Sequence, residues 1–274
     1  MNKLKKILVL ILTLSMLLSL SACGSFEMSL VKGAKNMAKL SSLHADAELS
    51  IKYGATVIGH DLETEIDLSA SQDIEPSPLR FRGEASVEIL GNEITAYDYG
   101  ELTDGSMVIA VSRDGEEWNA ERTDGVSTPS GGGIAAVAAG AAKYLSDFEK
   151  SDEALIIGGR ETRRYDGTIT GEELREILSI TGAADKLRET MGENFSIGMI
   201  DESCSMPVSV WLCRKTGMIL KAEADVTGLM QMFSGYILDE LTGIGSDDLG
   251  IRESLLSIRL GGFDQMPPIQ RPEI

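Results

Sequence analysis

Three stretches of strict alternation constrain this chain more than any other feature. In the first, Ala45, Ala47, Leu49, Ile51 and Tyr53 alternate with Asp46, Glu48, Ser50 and Lys52. The second sets Leu62, Thr64, Ile66 and Leu68 against Glu63, Glu65, Asp67 and Ser69. The third sets Phe81, Gly83, Ala85, Val87 and Ile89 against Arg82, Glu84, Ser86 and Glu88. A period of two sends successive side chains to opposite faces, so each stretch predicts a strand with one buried and one wet face. Between and after them lie Gly91-Asn92, Asp104-Gly105, Asp114-Gly115 and Asp124-Gly125. These pairs tolerate positive φ and mark hairpins. Strands at Thr95–Gly100, Met107–Arg113 and Glu116–Arg122 complete an antiparallel meander.

The rest of the chain mixes periods. Leu30, Ala34, Met37, Ala38 and Leu43 recur at helical spacing and predict a helix over Met28–Leu43. Ser127–Gly133 reads as a small-residue loop and Ile134–Phe148 as an Ala-rich helix. Strands follow at Glu153–Gly158 and Glu161–Thr170, then a helical stretch over Gly171–Gly192 broken at Thr181-Gly182. Ser205–Arg214 and Met218–Val226 form a hairpin about Lys215-Thr216-Gly217. Leu229, Phe233, Tyr236, Ile237 and Leu241 mark a last amphipathic helix, and Ser254–Leu260 a last strand before a Pro-rich tail. An apolar sheet face needs a cover, and the helices are what the chain has to cover it. The predicted fold is α+β: a single strongly curved antiparallel sheet wrapped around a few helices, in one domain.

The N-terminus fixes the expected compartment. Lys3, Lys5 and Lys6 precede an apolar run from Ile7 to Leu20, shorter than the roughly 20 residues a spanning helix needs and built like a secretory signal. It exits through Leu20-Ser21-Ala22-Cys23, the pattern of a bacterial lipobox. The expectation is a signal peptide over residues 1–22, a lipidated tether over 23–27 and a folded domain over 28–274. Lipid on Cys23 would anchor the chain at the extracytoplasmic face of a cell membrane, since two or more acyl chains hold stably where one does not. Removing the three leader lysines leaves 22 basic against 43 acidic side chains, a net charge of −21. So acidic a surface disfavours nucleic acid and docking through a basic patch.

The layout resembles the LolA/LolB and LppX-type lipoprotein-carrier superfamily. The resemblance rests on Arg163-Arg164-Tyr165-Asp166-Gly167-Thr168-Ile169 running into Glu172–Leu178, and on Pro207–Leu212 with the Lys215-Thr216-Gly217 turn. It rests further on Ser257–Leu260 with Phe263-Asp264 and Pro272-Glu273. It implies a half-open barrel whose concavity takes a lipid or acyl chain. With it, Met230, Phe233, Tyr236 and Ile237 become the candidate lining of a hydrophobic ligand site, flexible methionines being suited to variable guests. The alternative is a non-catalytic surface module contacting another envelope protein.

Chemistry-bearing constellations are sparse. His44 and His60 read as surface polar residues, and no nucleophile elbow, zincin motif or phosphate loop occurs. Gly131-Gly132-Gly133 reads as a flexible loop, and the pairs Glu116-Glu117, Glu172-Glu173, Asp239-Glu240 and Asp247-Asp248 as solvated charge. Trp118 and Trp211 read as core or rim packing. No enzyme activity, metal or cofactor is expected. Cys204 and Cys213, if joined by an extended strand, would stand about 30 Å apart, well beyond the ~7 Å of a disulfide; only a loop folding Cys204 back would let them pair.

Overall fold

The computed structural model describes residues 25–57, 60–124, 147–181, 183–191, 196–232 and 250–273. In chain order the elements are α1 (Ser25–Met37), β1 (Leu43–Val57), β2 (His60–Pro76), β3 (Leu79–Ile89), β4 (Asn92–Thr103), β5 (Ser106–Ser112) and β6 (Trp118–Asp124). Then come β7 (Glu149–Lys150), β8 (Ile156–Ile157), β9 (Arg160–Thr170), α2 (Gly171–Thr181) and α3 (Ala183–Met191). The hairpin β10 (Ser205–Cys213) and β11 (Ile219–Asp225), the short α4 (Thr227–Met232) and β12 (Gly250–Gly261) end the series. The strands form one antiparallel sheet in the order β6-β5-β4-β3-β2-β1-β12-β11-β10-β9-β7, with β8 paired to β9. Its ends do not meet, so the predicted single sheet with few helices is the observed architecture.

Alternation carries straight into register. Ala47 pairs with Ala70 and Ile258, Leu49 with Leu68 and Leu256, and Ile51 with Ile66, so the apolar phases of neighbouring strands share one inner face. The polar phases, such as Glu48 beside Ser69 and Ser257, share the outer face. β1 and β2 run 15 and 17 residues, and strands of that length coil under their own right-handed twist. Register shifts at Lys52/Tyr53 and Trp211/Leu212 add local twist.

Helices cover the inner face most closely at β9, β10 and β12. Phe26 of α1 stacks on Phe148 at 5.0 Å and lies 4.5 Å from Tyr165, ring centre to ring centre. Further along, α1 locks to the hairpin turn. Gly33 meets Gly217 so closely that a Cβ would overlap the Gly217 carbonyl, Asn36 Nδ2 donates to Thr216 O at 2.7 Å, and Lys32 Nζ donates to Lys215 O at 2.8 Å. At α2, Thr170 and Glu173 form a capping box: the Glu173 carboxylate accepts from the Thr170 amide at 2.8 Å, and Thr170 Oγ1 accepts from the Glu173 amide. The Pro-rich tail returns over the outer side of β2 to β4, where Ile269 N donates to Glu75 at 2.9 Å and Arg271 pairs with Glu101 at 3.7 Å.

Several expectations shift. The first helix starts at Ser25 and stops at Met37, and Leu43 opens β1 instead; Leu43 belongs to a core cluster with Leu40, Met218 and Phe263. Strand β8 keeps only Ile156–Ile157, because residues 158 and 159 turn at once with φ of 53° and 72°. The loop over Ser127–Gly133 and the helix over Ile134–Phe148 lie outside the described residues up to position 146, and buried Phe148 itself is in coil. Of the last helix, Thr227–Met232 is described and the remainder lies outside. Cys204 and Cys213 are free thiols at opposite ends of β10.

The β3–β4 turn also moves by one residue. Its central pair is Leu90-Gly91, with φ of 52° and 76°, because Ile89 pairs with Asn92. Two positive values in a two-residue hairpin make a type I′ turn, which prefers Asn-Gly. Leu90 is 71% exposed, so it gains little packing to offset its left-handed backbone. Leu90→Asn is expected to stabilise the protein by about 1 kcal/mol, read as a higher urea midpoint at unchanged m-value. A lower midpoint would refute this account of the turn.

Candidate functional site

Register places four alanines side by side. Ala47, Ala70, Ala85 and Ala96 are consecutive cross-strand partners from β1 to β4, all pointing inward and all buried. The next row toward the β2–β3 turn is Ala45, Gln72, Gly83 and Asp98. Taller side chains flank these two rows: Leu49, Leu68 and Val87 on one side, Leu43, Ile74 and Phe81 on the other. The Phe81 ring lies over Gly100, where a Cβ would overlap it. Small residues between walls of large ones make a trough across four strands, three strand spacings or about 14 Å long.

One carboxylate breaks the apolar phase. Asp98 is 1% exposed, and its Oδ2 accepts from Gln72 Nε2 at 2.6 Å. Its Oδ1 is buried and has no hydrogen-bond partner among the described residues. Burial pushes the carboxyl up to about 6, against the downward pull of its own amide, Gln72 and the Gly83 amide. A buried oxygen without a donor costs the full desolvation of that group. The sequence reading missed both polar residues, although the signal was present. Gln72 continues the inward phase of Ile66, Leu68 and Ala70, and Asp98 that of Ile94 and Ala96.

The outer face carries a groove of about 930 Å³ that reaches from Glu88 and Glu93 to Arg164 and Asp166. A twisted sheet is saddle-shaped, so either face is hollow along one diagonal. Seven carboxylates and two arginines line this hollow. At its β9 end Trp211 is buried between Arg164, 5.0 Å from its ring, and Lys221, 4.7 Å away. So covered a ring is packing, as the sequence suggested, and Trp118 sits half-buried under Arg82.

His44 also faces outward, in a denser polar cluster than its sequence context suggests. Its Nδ1 lies 2.7 Å from Asp73 Oδ1, its Nε2 3.1 Å from Asp46 Oδ1 and 3.3 Å from Ser71 Oγ. The order Ser71, His44, Asp73 imitates a nucleophile, base and orienting acid. The electrostatics differ. Burial lowers the imidazole pKa, but the Asp73 hydrogen bond and Asp46 outweigh it and the net shift is upward. The two carboxylates favour the charged form of the ring, and Ser71 turns its hydroxyl to Asp46 at 3.0 Å. With the serine hydroxyl given to Asp46 and the ring shared between Asp46 and Asp73, the cluster is a polar network across β1 and β2.

Of the proposed lining residues, Met230 is buried in α4 within the main core, and Phe233, Tyr236 and Ile237 lie outside the described residues, as does Cys23. His60 opens β2, with its side chain outside the description. Among the described residues no three His, Cys, Asp or Glu side chains group as metal ligands, and no helix is long and apolar enough to cross a membrane.

No family model matches the sequence, and no curated protein matches it. Among solved structures the chain is similar to LprF from Mycobacterium bovis, at 12% identity and a TM-score of 0.41, over 92% of this chain and 99% of that one. It is also similar to a DUF1329 family protein from Desulfovibrio piger, at 9% identity and a TM-score of 0.21, over 85% and 90% of the two chains. These likenesses transfer no ligand or activity to the present chain.

The buried acid sets a pH dependence. A carboxyl with a folded pKa near 6 and an ordinary value of 3.8 binds its proton more tightly folded than unfolded. It therefore adds stability as pH falls from about 7 to 4 and withdraws it as pH rises. The unfolding free energy of the wild type minus that of Asp98→Asn should grow on acidification over this range, by on the order of 2 kcal/mol. A difference that stays flat with pH would show that Asp98 titrates normally.

Proposed function

We propose that this chain is a membrane-anchored extracytoplasmic lipoprotein that binds or carries an apolar ligand, a lipid or acyl chain, on the inner face of its sheet. The observation that carries this reading is the trough of Ala47, Ala70, Ala85 and Ala96 between rows of large side chains. In a core that had only to be filled, larger side chains would bury more apolar area at the same positions. Four small ones in register leave the backbone shallow over the length of an elongated guest. Met230, Phe233, Tyr236 and Ile237 are proposed to contribute from the helical side, and Cys23 to carry the anchor.

The outer groove favours a second reading, a surface module that holds a basic segment of another envelope protein. Its seven carboxylates suit a cationic partner by charge complementarity.

Two experiments test the proposal. Organic extraction of the full-length protein, purified from membranes in mild detergent, should release an acyl species beyond the anchor itself. Ala70→Phe combined with Ala85→Phe should abolish it while circular dichroism stays unchanged. A clean extract, with no uptake of a fluorescent fatty acid, would sink the carrier reading and leave the outer groove as the site. Separately, Cys23→Ser should move the protein from the membrane fraction to the soluble one; retention on the membrane would refute lipid anchoring there.

A further inference from the structure

Two polar side chains, Gln72 and Asp98, stand in the inner rows beside the alanines, and they define a chemistry. Ala96 and Asp98 are two residues apart on β4 and so share the inner face. Asp98 pairs in register with Gly83, and Gly83 with Gln72. A Cβ at Gly83 would overlap the Ser71 carbonyl, so backbone approaches backbone there and no side chain stands between Gln72 and Asp98. Gln72 satisfies one carboxylate oxygen, and the other, Oδ1, is buried without a donor. Native interiors pair their buried polar atoms almost without exception, and an unpaired one calls for an explanation.

We propose that Asp98 is the head-group anchor of the trough, and that the ligand is an apolar chain whose head donates a hydrogen bond and carries no negative charge, as an acylated glycerol does. This rests on the carrier reading above and narrows it. The free Oδ1 accepts from a hydroxyl of the head, while Gln72 Nε2 holds Oδ2 and fixes the carboxylate plane. The apolar chain lies along Ala96, Ala85, Ala70 and Ala47. A free fatty acid presents its own carboxylate to Asp98 and is repelled in a medium of low dielectric. An ester without a hydroxyl fits the trough but leaves Oδ1 unpaired. A site built to bond a hydroxyl rejects the analogue lacking it far more strongly than apolar pockets discriminate by size.

The test is competitive displacement of a fluorescent acyl probe from the full-length protein at pH 8, using monolaurin, laurate and methyl laurate. Wild type should bind monolaurin about tenfold or more tighter than either other ligand, the scale of one hydrogen bond to a charged group. Asp98→Asn conserves shape and should bring methyl laurate and monolaurin within about twofold of each other while recovering affinity for laurate, and Gln72→Leu should weaken the preference in part. Equal affinity of the wild type for monolaurin and methyl laurate would overturn the head-group assignment while leaving the trough as a ligand site. An undiminished preference in Asp98→Asn would overturn it as well. Failure of all three ligands to displace the probe, or of the probe to bind, would overturn the carrier reading together with it.

Discussion

The first strand of this sheet pairs with the last, and everything else depends on that closure. β1 lies between β2, its sequence neighbour, and β12, about two hundred residues away, with Ala47 held between Ala70 and Ile258. Without the β1–β12 ladder the meander β1–β6 would be a separate sheet, cut off from the strands β9, β10 and β12 on which the described helices rest. With it, the strands under those helices and the strands that carry the trough form one layer. So distant a pairing is entropically slow to find, and it is specified by a shared period: a slip of one residue would turn Ile258 and Leu256 to water.

The two faces divide the chemistry of a very acidic chain. Carboxylates gather on the outer face, where solvent screens them and where Arg164, Lys221, Arg80 and His44 pair with a fraction of them. The inner face is apolar over its main core. Against that background a single buried acid on the inner face is a greater departure from the pattern than a dozen outside. The same logic separates the Ser71–His44–Asp73 alignment from a catalytic triad. Distance alone suggests chemistry there, but the Ser71 hydroxyl donates to Asp46 and a carboxylate stands on either side of the ring.

Much of the fold was legible because alternation, turn pairs and helical spacing are local. The strands of the meander, the β10–β11 hairpin and the helix pair broken near position 182 all follow from signals within a few residues. The trough was half legible. Ala45, Ala47, Gly83 and Ala85 are visibly small and inward, but their alignment with Ala70 and Ala96 is a fact of register, which no single strand contains. Asp98 stood in the inward phase of its own strand, beside an alternation weakened by Gly100, and so was not singled out. The His44 network needed two strands to assemble it. The one-residue shift at Leu90 arose because Asn92 was taken as a turn residue when it is a pairing one.

The aromatic cluster at the start of α1 has a mechanical meaning. Phe26 is 1% exposed, clasped by Phe148 and Tyr165, and it stands only three residue steps from Cys23. Three such steps reach about 10 Å at full extension. Whatever holds Cys23 therefore holds the body of the protein on a stub, not on a leash. With the proposed anchor at Cys23, such a domain would not swing out to search the space above a membrane; it would pivot about one point, and its neighbours would have to come to it.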